Sequence, residues 1–214
     1  MNKIVIMGCG GHAKSIVDII EKQGIYKIVG FIDKELKQGF SYRGYKIIGT
    51  DDDLQKIYLA GISNIVIGIG YLGDSNLRDK LYEQLKIIGY KIPVIVDPTA
   101  VIASDVVMDE GTVVCKRAVV NSGAKVGKMT IINTGALIEH ECEVGAFSHI
   151  SVGTILCGNV KIGNHCLVGA GSTVIQGIEI GIECIVGAGA VVLKNVLNGS
   201  KVYGVTKTQL IHNC

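Results

Sequence analysis

The sequence predicts two architectures in one chain: an α/β domain on a parallel sheet, then an all-β parallel β-helix. Strand and helix signals alternate through the first part, and an aliphatic residue recurs at every sixth position through the second. Composition changes between them, across Pro93 and Pro98, with nine of the eleven aromatic residues before Pro93.

In the first part, residues 4–7 form an apolar run into glycines. Ala13, Ile16, Val17 and Ile20 follow at helical spacing, with Gly24 placed to cap the helix. Residues 27–33 (KIVGFID) and 64–70 (NIVIGIG) read as the second and third strands. Between them Asp51, Asp52 and Asp53 can cap a short helix carrying Leu54, Ile57 and Tyr58. Ser75 opens another helix with Leu77, Leu81, Leu85 and Ile88 on one face and Gly89 at its end, and residues 91–96 give a last strand. The order βαβ(α)βαβ calls for a parallel sheet.

In the second part, sixteen residues in steps of six from Ile102 to Val192 include no polar side chain. Four places after most of them stands a small or β-branched residue, such as Thr112, Ala118, Ala136, Cys142, Thr154, Cys166 or Cys184. One large and one small inward position per six residues is the repeat of a parallel β-helix, with about three hexads to a triangular coil. Cys142, Cys166 and Cys184 fall on the small inward position and read as core filler. The expected division is residues 1–97 and 98–214.

A net charge of +2 leaves no electrostatic footprint for nucleic acid or an anionic membrane surface. No stretch approaches the roughly 20 apolar residues that cross a bilayer, and the apolar run near Met1 is too short for a secretory segment. Seven cysteines, an odd number without a Cys-x-x-Cys pair, read as reduced thiols, so the expected location is the cytoplasm.

Gly8-Cys9-Gly10-Gly11-His12-Ala13 joins the first strand to the first helix, where backbone N–H groups and a helix amino end form a phosphate site. Asp33 ends the second strand, the place from which a carboxylate reaches a ribose. Fewer than 100 residues precede the repeats, room for one mononucleotide-binding half of a Rossmann-like domain and not two. Gly68, Gly70 and Gly73 open the same edge of the sheet. Of the five histidines, His140 stands out within Ile138-Glu139-His140-Glu141-Cys142, outward on the coil and among carboxylates. Acyl transfer to an amine releases a proton, and imidazole, which titrates near neutrality, is suited to take it.

The GCGGH turn, the aspartate after the second strand and the unbroken hexads containing NTGALIEHECEVGAFSHISVG resemble the sugar O-acyltransferase family, which includes the sialic acid acetyltransferases and the bacillosamine-pathway acetyltransferase. The match spans nearly the whole chain. The resemblance implies a left-handed helix, a homotrimer, and acetyl-CoA in the groove between neighbouring helices, without a metal. It implies N-acetylation of the 4-amino group of a UDP-, GDP- or dTDP-linked sugar for surface polysaccharide or glycan synthesis. By the same resemblance His140 is the general base, Glu141 tunes it, and Asn133 shares the active-site block. His149, Gly158, Ala170 and Ala188 contact acetyl-CoA, and Gly10, Gly11, His12, Asp33 and Gly70 hold the nucleotide sugar. Two departures stand out: Lys34 follows Asp33 where a second acid is common, and Gly204-Val205-Thr206-Lys207-Thr208 replaces Gly-x-Pro-Ala-Lys. The rival readings are O-acetylation of a hydroxyl, as on a sialic acid, and a metal-dependent hydratase of the γ-carbonic anhydrase type. The hydratase needs three convergent imidazoles, and His140, His149 and His165 stand at different places in their hexads.

Overall fold

The computed structural model describes residues 1–34, 39–73 and 76–204. The expected helix start at Ser75, the tail from Val205 to Thr208, and His212 lie outside the described residues. Strand β1 (Asn2–Met7) leads into α1 (Gly11–Gln23) and β2 (Tyr26–Ile32). A hairpin of β3 (Ser41–Tyr42) and β4 (Tyr45–Gly49) follows, then a 3₁₀ turn (Asp51–Asp53), α2 (Leu54–Leu59), β5 (Asn64–Ile67) and α3 (Leu77–Ile88). The sheet order is β3-β4-β2-β1-β5, parallel except between β3 and β4. Ile4 to Met7 are buried as a continuous apolar run because helices cover both faces of the strand. Gly24 and Gly89 end α1 and α3 with φ of 65° and 105°, as their positions in the sequence imply.

Two expectations change. The hairpin is additional: Arg43 and Gly44 take φ of 50° and 83°, the left-handed pair of a tight two-residue turn. Residues 91–96 do not complete the sheet. Lys91 makes one bridge to Asn64, whereas Ile95–Val96 pairs with Val113–Val114 as the first rung of the second architecture. Pro93, between them, has no N–H for a ladder.

From Ile95 onward the chain winds as a left-handed parallel β-helix of two-residue strands joined by four-residue turns. Each strand up to Val191–Val192 has partners eighteen residues away, as Leu137 does in Val119 and Ile155, so three hexads make a coil, and Lys201–Val202 closes the series sixteen residues beyond Ile185–Val186. Every six-step aliphatic from Val114 to Val192 is at most 4 % exposed. At the small inward position, Thr130, Ser148 and Thr154 donate to the carbonyls of Gly145, Gly163 and Gly169 at 2.9–3.0 Å. Cys142 and Cys166 do the same through sulfur, toward Cys157 and Gly181. The turn residue before it is left-handed in every hexad from Gly111 to Gly189, glycine or not. Glu141, Phe147 and His165 hold φ of 57–58° and donate their N–H to the coil before.

The three faces of the prism have three different characters. One, through Val113, Ile131, His149, Leu167 and Ile185, carries the α/β domain. Val113 and Ile131 are 1 % exposed beneath it. We call it the docking face. The second points Val107, Lys125, Glu143, Lys161 and Glu179 outward, with Lys125–Glu143 and Lys161–Glu179 ion pairs of 3.7 and 3.3 Å, and is a solvated charged face. The third, through Val101, Val119, Leu137, Ile155, Thr173 and Val191, has no charged side chain at these positions, and Val101 and Ile155 on it are exposed. This is the apolar face.

Candidate active site

A cavity of about 340 Å³ opens at the carboxyl edge of the parallel sheet. Gly8, Cys9, Gly10, Gly11 and His12 line it from the turn between β1 and α1, with Asp33 and Lys34 after β2, Asp51 in the 3₁₀ turn and Gly70 after β5. The first N–H groups of α1 have no partner within the helix, so this edge favours an anion. Asp33 Oδ2 accepts from the Cys9 N–H at 3.1 Å and from its thiol at 2.9 Å, fixing the shape of the turn. All five residues assigned to the nucleotide sugar meet at this cavity.

His12 lies at the wall with its Nε2 enclosed and unpartnered among the described residues. Burial above all, then the nearby Arg78 cation and His149, lowers its pKa from 6.5 to about 4. The unfolded chain therefore binds the proton more readily over that window. Stability is complete above pH 6.5 and declines as the pH falls from 6.5 toward 4. Melting temperatures measured across this range should show that decline in the wild type and a shallower one in His12→Gln.

His140 occupies the corner between the apolar and charged faces, exposed, with its ring against Gly158 of the next coil. A Cβ at residue 158 would stand 2.6 Å from Cε1 and Nε2 of that ring, so only glycine allows this placement. We expect Gly158→Ala to tilt the imidazole and lower kcat roughly tenfold or more, with little change in melting temperature, because misplacing a reacting group by about 1 Å is costly. Glu141 shares the corner, but its carboxylate lies over Gly123 of the preceding coil. Among the described residues no hydrogen bond joins it to the His140 ring.

Asn133 sits on a different corner, between the docking and apolar faces. Its amide donates to His149 Nε2 at 3.0 Å, and its Oδ1 accepts from the Thr134 N–H at 2.8 Å. His149 Nδ1 is 2.8 Å from the Tyr71 carbonyl. The network assigns a neutral His149 with the proton on Nδ1. Burial and Arg78 favour that state by lowering its pKa, against the raising effect of the Tyr71 carbonyl. Both nitrogens are thus engaged and the residue is 8 % exposed, which in the single chain makes it a clamp between the two architectures. Ala170 and Ala188 are exposed on the Asn133 corner, whereas Gly158 is on the His140 corner. His165, on the third corner, contacts Asp79 at 3.4 Å.

The structure therefore gathers these residues into two groups and keeps them apart. The His140 corner is the vertex opposite the docking face, and the cavity belongs to the domain seated on that face. Sequence reasoning missed Arg78, which is 3 % exposed at the junction, and Tyr71, whose hydroxyl donates to the His165 carbonyl at 2.8 Å. A signal for Arg78 existed: it shares the buried stripe of α3 with Leu81, Tyr82 and Leu85.

An α/β domain with a glycine-lined cavity, seated on a left-handed hexapeptide β-helix with an outward imidazole, defines an acyltransferase. A model of the PglD N-terminal domain matches residues 3–85, and one of the hexapeptide repeat of succinyl-transferase matches residues 159–194. Among solved structures, the chain is similar to a variant of GDP-perosamine N-acetyltransferase from Caulobacter crescentus in complex with CoA and GDP-perosamine. Identity is 30 %, coverage 95 % of this chain and 94 % of that one, and the TM-score 0.89. The acetyltransferase domain of PglB from Neisseria gonorrhoeae in complex with acetyl coenzyme A gives 30 %, 95 %, 97 % and 0.83 in the same order. WeeI from Acinetobacter baumannii gives 25 %, 95 %, 97 % and 0.68. No curated protein sequence is similar enough to match. The chain belongs to the hexapeptide-repeat sugar acyltransferases.

Proposed function

We propose that this enzyme transfers the acetyl group of acetyl-CoA to the 4-amino group of a nucleotide-linked amino-dideoxy sugar, in a homotrimer whose sites are each shared by two protomers. The observation that carries the reading is the apolar face. Its outward positions are uncharged, with Val101 and Ile155 exposed, and the two corners that bound it hold His140 with Gly158 on one side and Asn133, Ala170 and Ala188 on the other. Packing such faces together buries the patch and brings the His140 corner of one copy to the Asn133 corner of the next. The cleft between those corners would take the coenzyme. The cavity seated beside the Asn133 corner would take the nucleotide, presenting the amine to the neighbour's imidazole. The Caulobacter relative, crystallised with CoA and GDP-perosamine, supports the substrate class.

In this arrangement the amine nitrogen attacks the thioester carbonyl, and His140 accepts the proton that the nitrogen sheds. The new N–C bond forms as the C–S bond breaks, and His140 returns the proton to the departing CoA sulfur. Glu141, one residue away and exposed, would steady the imidazolium, and Asn133, held by His149, would orient the acyl group from the facing corner. Gly10, Gly11, His12, Asp33 and Gly70 would hold the nucleotide sugar, with the phosphates at the start of α1. As in the expectation from the sequence, the compartment would be the cytoplasm. Among the described residues no helix is long and apolar enough to cross a membrane.

Thiol release and thermal shift with acetyl-CoA and UDP-, GDP- and dTDP-linked 4-amino sugars test the proposal. At least one amino sugar should stabilise the protein and release CoA thiol, and its 4-hydroxy counterpart should release none. Thiol release from the hydroxy sugar alone would replace this reading with O-acetylation.

A further inference from the structure

We infer that Cys9 is a positioning residue of the nucleotide-sugar pocket. Its backbone N–H and its thiol together hold one oxygen of Asp33, so that this carboxylate reads the pentose hydroxyls and the enzyme selects a ribonucleotide over its 2′-deoxy counterpart. The inference rests on the proposed function for the nucleotide, and on the geometry of the turn for the role of Cys9.

Cys9 and Asp33 both line the cavity. Asp33 Oδ2 accepts from the Cys9 N–H at 3.1 Å and from the Cys9 thiol at 2.9 Å. A carboxylate has no proton to give, so the sulfur is the donor and Cys9 stands as a thiol. The side chain is buried in the apolar cluster that also holds Ala13 and Ile16 of α1, which keeps the sulfur in place. The main chain is tied down at the same point. Gly8 donates to the Ile32 carbonyl at 2.7 Å, and Asp33 donates to the Gly49 carbonyl at 3.3 Å. With the backbone pinned on both sides, two donors on a single oxygen fix the rotation of the carboxyl group.

Strand order decides what that carboxylate meets. The turn after β1 opens α1, whose first N–H groups suit the diphosphate. On one side of β1 lies β5, and in the loop after it the Tyr71 carbonyl accepts from His149 on the docking face. The sugar to be acetylated leaves on that side, toward the Asn133 corner. On the other side lies β2, about 4.8 Å away, with Asp33 at its end. The nucleoside therefore extends over β2, and its first unit beyond the phosphates is the pentose. Asp51, another carboxylate of the cavity wall, follows β4, one strand further out. Close to phosphates a carboxylate is unfavourable unless hydroxyl groups donate to it and offset the repulsion. A ribose offers two adjacent hydroxyls, a 2′-deoxyribose one.

The test takes the nucleotide sugar that the enzyme turns over, in paired ribose and 2′-deoxyribose forms, through steady-state kinetics on the wild type, Cys9→Ala and Cys9→Ser. The wild type should favour the ribose form by roughly ten- to hundredfold in kcat/KM, the range of one hydrogen bond to a charged group. Cys9→Ala removes the thiol donor. It should raise the KM for the ribose form about fivefold or more and leave the 2′-deoxy form and acetyl-CoA within about twofold, so the preference shrinks. Cys9→Ser keeps a donor and should restore most of the preference. A cysteine that only filled the core would weaken both forms alike. Equal losses for the two forms, or a Cys9→Ser protein no better than Cys9→Ala, would overturn the inference. So would a wild type that uses both forms equally, which decides the matter even if Cys9→Ala does not fold. If no nucleotide sugar binds at all, the proposed function falls and takes the inference with it, whereas binding without a ribose preference removes the inference alone.

Discussion

Replacing His140 with alanine should lower kcat by about 10²-fold or more and leave the affinity for the nucleotide sugar unchanged, as measured by turnover and by direct binding. The two readouts separate because the imidazole and the nucleotide cavity lie on opposite sides of the same chain. Truncating an exposed ring that rests on Gly158 at a corner of the prism opens no core cavity, so the melting temperature should hold. Glu141→Gln should cost less, roughly tenfold, because its carboxylate makes no hydrogen bond to the ring in the single chain and can act only as charge develops. A His140→Ala protein with near-normal turnover would remove this residue from the chemistry.

Placing a charge on the apolar face should have an effect of similar size by another route. Ile155 is 38 % exposed in the single chain, so Ile155→Glu leaves the core intact and the fold should form. Three copies brought together through that face would bury three carboxylates with no counter-charge, and a buried unpaired charge costs several kcal/mol. Light scattering should find single chains in place of trimers, and turnover should fall by about 10²-fold or more. Binding of the nucleotide sugar should survive, since its cavity is formed within one chain. A variant that stays trimeric and fully active would show that this face is not the interface.

The β-helix was legible because its constraint is strictly periodic: each hexad places one aliphatic residue inward, and no polar residue interrupts the series from Ile102 to Val192. The turn from β1 to α1 was legible for a local reason, since glycines between a strand and a helix need no tertiary context. What the sequence hid depends on distant parts meeting. Residues 91–96 have the apolar character of a strand, but which sheet they join is decided by the partner that Val113 offers to Ile95. The hairpin at Arg43 and Gly44 lacks the usual asparagine or aspartate, so its turn chemistry is muted. The fates of His149 and Arg78 follow from docking of the α/β domain, which no spacing encodes. The separation of the His140 corner from the cavity could have been read by stepping eighteen residues instead of six. That step divides Val119, Leu137 and Ile155 from Lys125, Glu143 and Lys161 and puts His140 on the vertex away from the docking face.

Mixed trimers test the shared site most directly. His140→Ala lacks the base, and Gly70→Phe fills the cavity from a position where a side chain meets open space, so each protein alone should be inactive. If cavity and base come from neighbouring chains, refolding the two together in equal amounts regenerates intact sites in about a quarter of positions, and activity should return to about that fraction of wild type. If each chain completes its own site, every site in the mixture carries one defect or the other, and no activity returns.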